Sequence, residues 1–239
     1  MGARGSEPVI GFVPCRAGSE RVPRKNMRPF GGHENGLIEL KLCQLQAMPE
    51  LDKIVVSSND EEVLDYVDRF ARAHDSRFVA SERPDELGRS STSMDDFILY
   101  IAEMEREGLI FWTHVTSPFV TTEVYQAGLA AYYAKLAEGY DSLVSVTAIH
   151  KFLWDENGPV NYDNKVEKWP RSQDIRPLFE INHAMYVMPY ALMREMGDRI
   201  GRRPYFHPLP EQVAMDIDWE DQFTLLDRIA HIRRAAGEL

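Results

Sequence analysis

Four cations, Arg16, Arg21, Arg24 and Lys25, fall within ten residues, in the run Pro14-Cys-Arg-Ala-Gly-Ser-Glu-Arg-Val-Pro-Arg-Lys-Asn26. Arginine offers forked, permanently charged donors and lysine a compact point charge, a combination suited to a polyphosphate. Gly18 and Ser19 permit tight turns whose amides can address phosphate oxygens. Far along the chain, Asp216-Ile-Asp218 sets two carboxylates on alternate residues. In an extended segment these point to the same side and can address one ion, and hard oxygen ligands shared with phosphates suit Mg²⁺. The competing reading makes Asp218 only the N-cap of a final helix. Cys15 sits beside the basic run, and cations lower a thiol pKa, but a small buried residue at a strand end is the expected role.

The basic run directly follows the short apolar strand predicted at Val9–Val13, the place where open α/β sheets carry ligand-binding loops. Downstream, strands and helices alternate. A helix is predicted over Leu37–Met48, a strand over Lys53–Ser57, and a helix capped by Asn59 or Asp60 with Val63, Leu64, Val67 and Phe70 on one face. A short strand follows at Arg77–Ala80. Ser93-Met-Asp-Asp96 then reads as a capping box opening a helix to Arg106. Further strands are predicted at Leu109–Val115, Asp141–Ala148 and Ala184–Met188, with a helix over Thr122–Glu138. A last helix after Asp218 has Phe223, Leu226, Ile229 and Ile232 available for burial. The alternation predicts an α/β fold with a mostly parallel sheet. Between Ile149 and Phe179 it breaks into a Trp-, Tyr- and Pro-rich stretch, read as an extended β-arm insertion that is a lid or a dimerisation arm (residues 149–180) within one domain spanning 1–239.

Composition narrows the function. The chain has 239 residues, 27 Lys and Arg against 38 Asp and Glu, and a formal charge of −11. That balance argues against a general nucleic-acid binder, which carries net basic charge, while leaving room for a local basic pocket. No run approaches the roughly 18 apolar residues of a membrane span, and the Val9–Pro14 segment is shorter than a secretory apolar core of about 7–15 residues, so a cytoplasmic location with no membrane partner is expected. Two cysteines, Cys15 and Cys43, cannot build a disulfide framework or a cysteine-rich zinc site. Neither G-x-x-x-x-G-K-[ST] nor G-x-G-x-x-G is present, so a P-loop ATPase and a dinucleotide-binding domain are not supported.

At the basic run the sequence resembles the CMP-sugar synthetases, the acylneuraminate cytidylyltransferase family. The family signature A-R-x-x-S-K-x-x-P-x-K-N lies over Cys15-Arg16-Ala-Gly-Ser19-Glu-Arg-Val-Pro23-Arg-Lys25-Asn26. The likeness continues, in order, through Val56-Ser-Ser-Asn-Asp60, Arg83-Pro-Asp-Glu-Leu87, Thr116-Ser-Pro118, Asn182-His-Ala-Met-Tyr186 and Asp216-Ile-Asp218. It implies a Rossmann-like nucleotidyltransferase fold and a CTP-dependent transfer of CMP to an acidic small-molecule acceptor. By this resemblance Arg16 and Lys25 are catalytic and hold the triphosphate. Ala17, Gly18, Ser19, Arg21, Asn26 and Arg83 line the nucleotide site, Asp216 and Asp218 bind Mg²⁺, and a homodimer forms through the arm.

The acceptor side departs from the family. Sialic acid synthetases carry Q-P-T-S-P-L-R where this chain reads His114-Val-Thr-Ser-Pro-Phe-Val120, so the sugar-reading glutamine is His114 and the later arginine is Val120. Candidate acceptor contacts are His114, Thr116, Arg171, Arg176 and His183, whose charges favour a carboxylate or a phosphonate. The acceptor expected is a nonulosonic (sialic-type) acid, with a small phosphonate such as phosphonoformate as the alternative. A metal-dependent glycosyltransferase and a non-catalytic nucleotide binder are the rivals from other classes.

Overall fold

The computed structural model describes residues 5–89 and 91–239. From the N-terminal side the elements are β1 (Val9–Pro14), α1 (Gly36–Gln46), β2 (Lys53–Ser58), α2 (Glu61–Ala73), β3 (Phe78–Glu82), the single turn α3 (Asp85–Gly88), α4 (Met94–Ala102) and β4 (Leu109–Trp112). There follow α5 (Thr122–Leu136), β5 (Ser142–Ile149), the two-residue strands β6 (Trp154–Asp155) and β7 (Gly158–Pro159), β8 (Leu178–Pro189), α6 (Tyr190–Met196), β9 (Pro204–Pro208) and α7 (Glu220–Ala235).

Seven strands form one sheet in the order β3-β2-β1-β4-β8-β5-β9. Every pairing is parallel except those of β8, which runs antiparallel to both β4 and β5. Helices on both faces bury alternate residues of each strand. Val9 and Val13 of β1 and Phe111 of β4 pack with Leu42, Phe70, Tyr125 and Phe223 on one face. Phe12, Ile110 and Trp112 pack with Phe97, Tyr190 and Met193 on the other. The helix α1 has Leu37, Ile38, Leu40, Leu42 and Leu45 all buried, a broad apolar arc that leaves Glu39, Cys43 and Gln46 on its outer face. Gly36 at its start has φ +69°, and a Cβ there would lie 2.1 Å from the Arg28 carbonyl oxygen. Glycine is what lets the basic loop cross the helix at that distance.

The predicted elements stand, with corrections at their ends. The antiparallel strand starts at Leu178, six residues before the predicted Ala184, because its first half pairs with β5 outside the deep core. The strand predicted through Val115 stops at Trp112. The Ser93 hydroxyl accepts from the Asp95 amide and caps α4 alone, without the reciprocal bond of a capping box, and α4 ends at Ala102 rather than Arg106. Asp218 is not the side-chain cap of α7. The Gln222 side-chain oxygen accepts from the amides of both Asp218 and Trp219, at 2.8 and 2.9 Å, which leaves the Asp218 carboxylate for other partners. Ile232 is 70% exposed, against the predicted burial, while Phe223 and Leu226 are buried. The turn α3, the helix α6 and the edge strand β9 have no counterpart in the sequence prediction. The 149–180 stretch is an excursion between β5 and β8, holding the β6–β7 ribbon and one 3-10 turn at Ser172–Asp174. No helix among the described residues is long and apolar enough to cross a membrane.

Candidate functional site

Beyond β1 the chain is held to β2. The Cys15 amide donates to the Ser57 carbonyl at 2.9 Å, the Ser58 hydroxyl to the Cys15 carbonyl at 2.6 Å, and the Ala17 amide to Asn59 Oδ1 at 2.9 Å. Ala17 is therefore an anchor whose amide is already bonded. Val22 is fully buried and pins the middle of the loop. Gly18 at φ +69° makes the turn, and Gly18 and Ser19 form its rim. The Asn26 side chain donates to the Arg16 carbonyl at 3.1 Å, so it braces the loop from within. The Arg16 guanidinium, exposed above that bond, makes no hydrogen bond or ion pair among the described residues. Cys15 is buried and its thiol is pushed up to about 12 by that burial, with Arg83 and Lys25 opposing only in part, so it is a packing residue and not a nucleophile.

Lys25 joins the loop to the carboxylates. Its Nζ donates at 2.8 Å to the carbonyl of Ile217, the residue between Asp216 and Asp218. Ile217 is fully buried, and the two aspartates flank it, Asp216 with an enclosed carboxylate oxygen and Asp218 half-buried. Burial lowers the Lys25 pKa while the charges of Asp216 and Asp218 oppose the shift. Burial raises that of Asp216, with a bond from Thr116 opposing and the Asp218 charge adding to it. Oδ1 of Asp216 is buried with no hydrogen-bond partner, an acceptor in want of a cation or donor. Asp218 pairs with Arg21 at 3.0 Å, and Arg21 stands 5.0 Å from the Trp219 ring centroid. Among the described residues no group of three or more His, Cys, Asp or Glu side chains forms a metal cage. Two carboxylates completed by substrate phosphates and water are the usual arrangement for Mg²⁺, and the orphaned oxygen of Asp216 fits it.

Arg83 follows β3 and is 3% exposed. Its guanidinium donates to the Ser57 carbonyl at 2.8 Å and lies 4.1 Å from the Phe97 ring centroid, with no carboxylate partner among the described residues. Burial draws its pKa down to about 10. A cavity of about 470 Å³ opens beside it, lined also by Asn59, Glu82 and Asp85. A larger one of about 600 Å³, near His33, Gln44 and Arg234, contains none of the predicted site residues.

The acceptor side is built on β4 and β8. Between Val144 and Val146 the β5–β8 register shifts, and β8 bulges at Asn182–Met185. Asn182 holds the bulge, its Oδ1 accepting from the Ser145 hydroxyl at 2.6 Å and its Nδ2 donating to Thr147 Oγ1 at 3.2 Å. His183 sits at φ +58°, a left-handed conformation that costs a non-glycine residue about 1–2 kcal/mol. Bulges re-aim side chains, and this one brings the His183 ring within 6.1 Å of the His114 ring. Both rings are held below the usual histidine pKa, by burial first and then by the Arg199 charge. Donor-only partners fix their tautomers. The Trp112 indole N–H donates to His114 Nε2 at 3.0 Å, so Nδ1 carries the proton. Arg199 Nη2 lies 3.3 Å from His183 Nδ1, and the Tyr186 hydroxyl lies 2.6 Å from the same atom, so in His183 the proton is on Nε2.

The predicted residues thus divide. Arg16, Ala17, Gly18, Ser19, Arg21, Lys25 and Asn26 share the loop, which meets Asp216 and Asp218 through Lys25, and Thr116 bonds Asp216. His114 and His183 face each other, close enough for Lys25 to act on the first and Asp218 on the second. Arg171 and Arg176 stay on the excursion, Arg171 paired with Asp174 at 2.7 Å and the Arg176 carbonyl accepting from Asn161. Neither contacts this group among the described residues. Two residues escaped the sequence reading. Arg199 lies in a loop after α6 with no motif around it. Lys41 is fully buried in α1, donating to the Ser117 carbonyl at 3.0 Å and to Tyr125. The signal for Lys41 was available, because at helical spacing it falls among the Leu37, Ile38 and Leu45 positions of the apolar arc of α1.

Comparison with known proteins places these features. Residues 10–216 match the family model described as cytidylyltransferase. The chain is 24% identical over 229 residues to the N-acylneuraminate cytidylyltransferase A of Danio rerio, covering 90% of this chain and 50% of that protein. It is 22% identical over 214 residues to a pseudaminic acid cytidylyltransferase of Campylobacter jejuni, covering 87% and 89%. The chain spans about half the length of the N-acylneuraminate relatives from Danio rerio and Streptococcus agalactiae. In fold it is similar to a CMP:2-keto-3-deoxy-manno-octonic acid synthetase complexed with CTP (TM-score 0.64, 14% identity, 97% of this chain and 100% of that one). It is also similar to the 4-diphosphocytidyl-2C-methyl-D-erythritol synthase of Anaerococcus prevotii (TM-score 0.63, 10% identity, 93% and 98%).

Proposed function

The chain belongs to the cytidylyltransferase family, and on that premise we propose that it transfers CMP from CTP to an acidic sugar of the sialic or pseudaminic type, releasing pyrophosphate. The observation that carries this reading is the Lys25–Ile217 bond, which makes the basic loop and the carboxylate pair a single site. An acceptor oxygen attacks the α-phosphorus, a hydroxyl acceptor giving up its proton to solvent, the bond to the bridging oxygen of the β-phosphate breaks, and charge builds on the departing pyrophosphate. Lys25 and Arg16 stand where that charge is neutralised. Arg21 is held by Asp218 and reaches phosphate only by leaving it. Asn26 keeps Arg16 in place, and Arg83 is a buried cation left for the nucleotide. Asp216 and Asp218 would hold Mg²⁺, which when bound offsets phosphate charge.

The excursion over residues 149–180 carries Trp154, Val166 and Trp169 at 55%, 84% and 66% exposure, and a second copy of the chain is the partner we assign to it. Sedimentation at micromolar concentration tests this, and a monomer would remove the assignment.

A second reading, a small phosphonate acceptor, is favoured by the histidine tautomers. The lone pairs of His114 and His183 both receive internal donors, so neither ring is free to take a proton from a sugar hydroxyl. A phosphonate oxygen is already ionised and needs no base.

The test is pyrophosphate release from CTP and Mg²⁺ with N-acetylneuraminate, pseudaminate or phosphonoformate, the CMP conjugate being identified by mass. Release with one acid class fixes the acceptor. Tight CTP binding without release from any acid would replace transfer by binding alone.

A further inference from the structure

Several buried or half-buried arginines of this protein are satisfied internally. Arg77 binds Asp75 and three main-chain carbonyls, Arg194 binds the carbonyls of Ala102, Glu105 and Arg106, and Arg28 is bidentate to Glu220. Arg199 differs. It is half-buried, and its guanidinium carbon lies 4.4 Å from the Tyr186 ring centroid and 5.2 Å from that of Trp112. The adjacent carboxylate does not neutralise it by direct contact, because Asp198 Oδ1 accepts from the Arg199 main-chain amide. Its one side-chain hydrogen bond among the described residues goes to His183 Nδ1, a neutral acceptor. A guanidinium supported by two aromatic faces keeps its charge while most of its donors remain unsatisfied.

The surroundings point those donors to one class of ligand. His114 and His183 are neutral rings whose acceptor nitrogens are occupied, so each can only donate, from Nδ1 and Nε2 respectively. A cation and two donors, on the side of the site facing Lys25 and Asp218, make a receptor for an oxyanion. The left-handed His183 and its bulge hold that arrangement against backbone strain, as functional sites do.

We infer that Arg199 is the specificity-determining residue of the acceptor subsite, gripping the acceptor's oxyanion, carboxylate or phosphonate, with donor support from His183 and His114. The inference rests on the transfer reading only for the identity of the bound acid as acceptor. Its test therefore measures binding rather than turnover. Wild type, Arg199→Ala and Arg199→Lys are titrated calorimetrically with N-acetylneuraminate and, separately, with phosphonoformate, in the presence of Mg²⁺ and a non-transferable α,β-methylene analogue of CTP. Affinity for the analogue and Tm are measured on the same samples.

At least one acid is expected to bind wild type, and Arg199→Ala to weaken it on the order of 10- to 100-fold. Arg199→Lys restores part of the loss, and the affinity for the CTP analogue changes less than about twofold. The acid that binds identifies which oxyanion the subsite takes. Unchanged acid affinity in both variants, or no binding of either acid to wild type, overturns the inference. So does equal loss of acid and analogue, which would mark a structural role. Arg199-dependent acid binding by a protein that never releases pyrophosphate would support the subsite and sink the transfer reading.

Discussion

The loop after β1 and the wall made by β4 and β8 meet at one site but are built on opposite plans. The loop is local: Arg16 to Asn26 are near neighbours, braced by Asn26 and Asn59, and the chain turns left-handed at Gly18 and Arg24. The wall is assembled from distant parts. Trp112 and His114 come from β4 and the turn after it, His183 and Tyr186 from the bulged β8, and Arg199 from beyond α6. There His183 takes the left-handed backbone. On the proposed reading the loop takes the phosphates of CTP with a contiguous set of cations. On the same reading the wall would take the acceptor through donors gathered from separate elements.

The largest effect is expected on the loop side. Lys25→Ala removes the cation proposed to meet the developing charge and also the bond to Ile217 that joins the loop to the carboxylates. Turnover should fall about 10²- to 10³-fold in the pyrophosphate assay, with weaker CTP binding. Unchanged values for both would break the distinction at its stronger end, since the loop would then hold no phosphate.

This contrast also explains what the sequence could and could not tell. The loop was legible because its chemistry is contiguous and follows a strand, and Asp216 and Asp218 because alternation around the buried Ile217 is a local rule. The parallel half of the sheet was legible from apolar runs. The first half of β8 was not, because Phe179 and Ile181 are 47% and 36% exposed there and give no buried run. Arg199 was invisible for a different reason: its partners Trp112, His183 and Tyr186 become neighbours only when β8 inserts antiparallel between β4 and β5. Arg171 and Arg176 offered the positive charge an acidic acceptor calls for, but they lie on the excursion that precedes that strand.

The backbone offers the next test. Gly18 has φ +69° and open space where a Cβ would stand, so Gly18→Ala should cost about 1–2 kcal/mol through conformation alone. His183→Gly releases the same kind of strain but forfeits the bond to Tyr186, worth about 0.5–1.5 kcal/mol. Denaturant midpoints should therefore drop for Gly18→Ala and stay nearly level for His183→Gly, while the latter loses acid affinity. A large destabilisation from His183→Gly would show that the bulge is held for stability rather than for binding.

Titration sharpens the wall further. His114 and His183 have folded pKa values below the ordinary one of about 6.5 because of burial and Arg199. Below that pH the unfolded chain binds more protons than the folded one, so stability is complete above about 6.5 and falls as pH drops beneath it. Tm measured between about pH 7.5 and 5.5 should fall less in the His114→Gln/His183→Asn double variant than in wild type. Asparagine tolerates the left-handed backbone at position 183. His207, also held low by burial, remains in both proteins and cancels. Equal slopes would mean that the two rings titrate alike in the folded and unfolded chains.

The smallest effect separates the loop's working cations from its solvated one. Arg24 lies among Arg16, Arg21 and Lys25 in sequence, yet it points away to Glu62, 2.7 Å distant, with the two side chains 68% and 53% exposed. An ion pair so exposed contributes about 0–1 kcal/mol. Arg24 also adopts φ +51°, so asparagine rather than alanine is the informative replacement, since it removes the charge without adding backbone strain. Arg24→Asn should leave CTP affinity and turnover within about twofold and shift stability by less than about 1 kcal/mol. A loss approaching that of Lys25→Ala would mean that Arg24 exchanges Glu62 for a phosphate when nucleotide arrives. The loop would then act as one electrostatic unit, and its preformed pairing would describe only the ligand-free state.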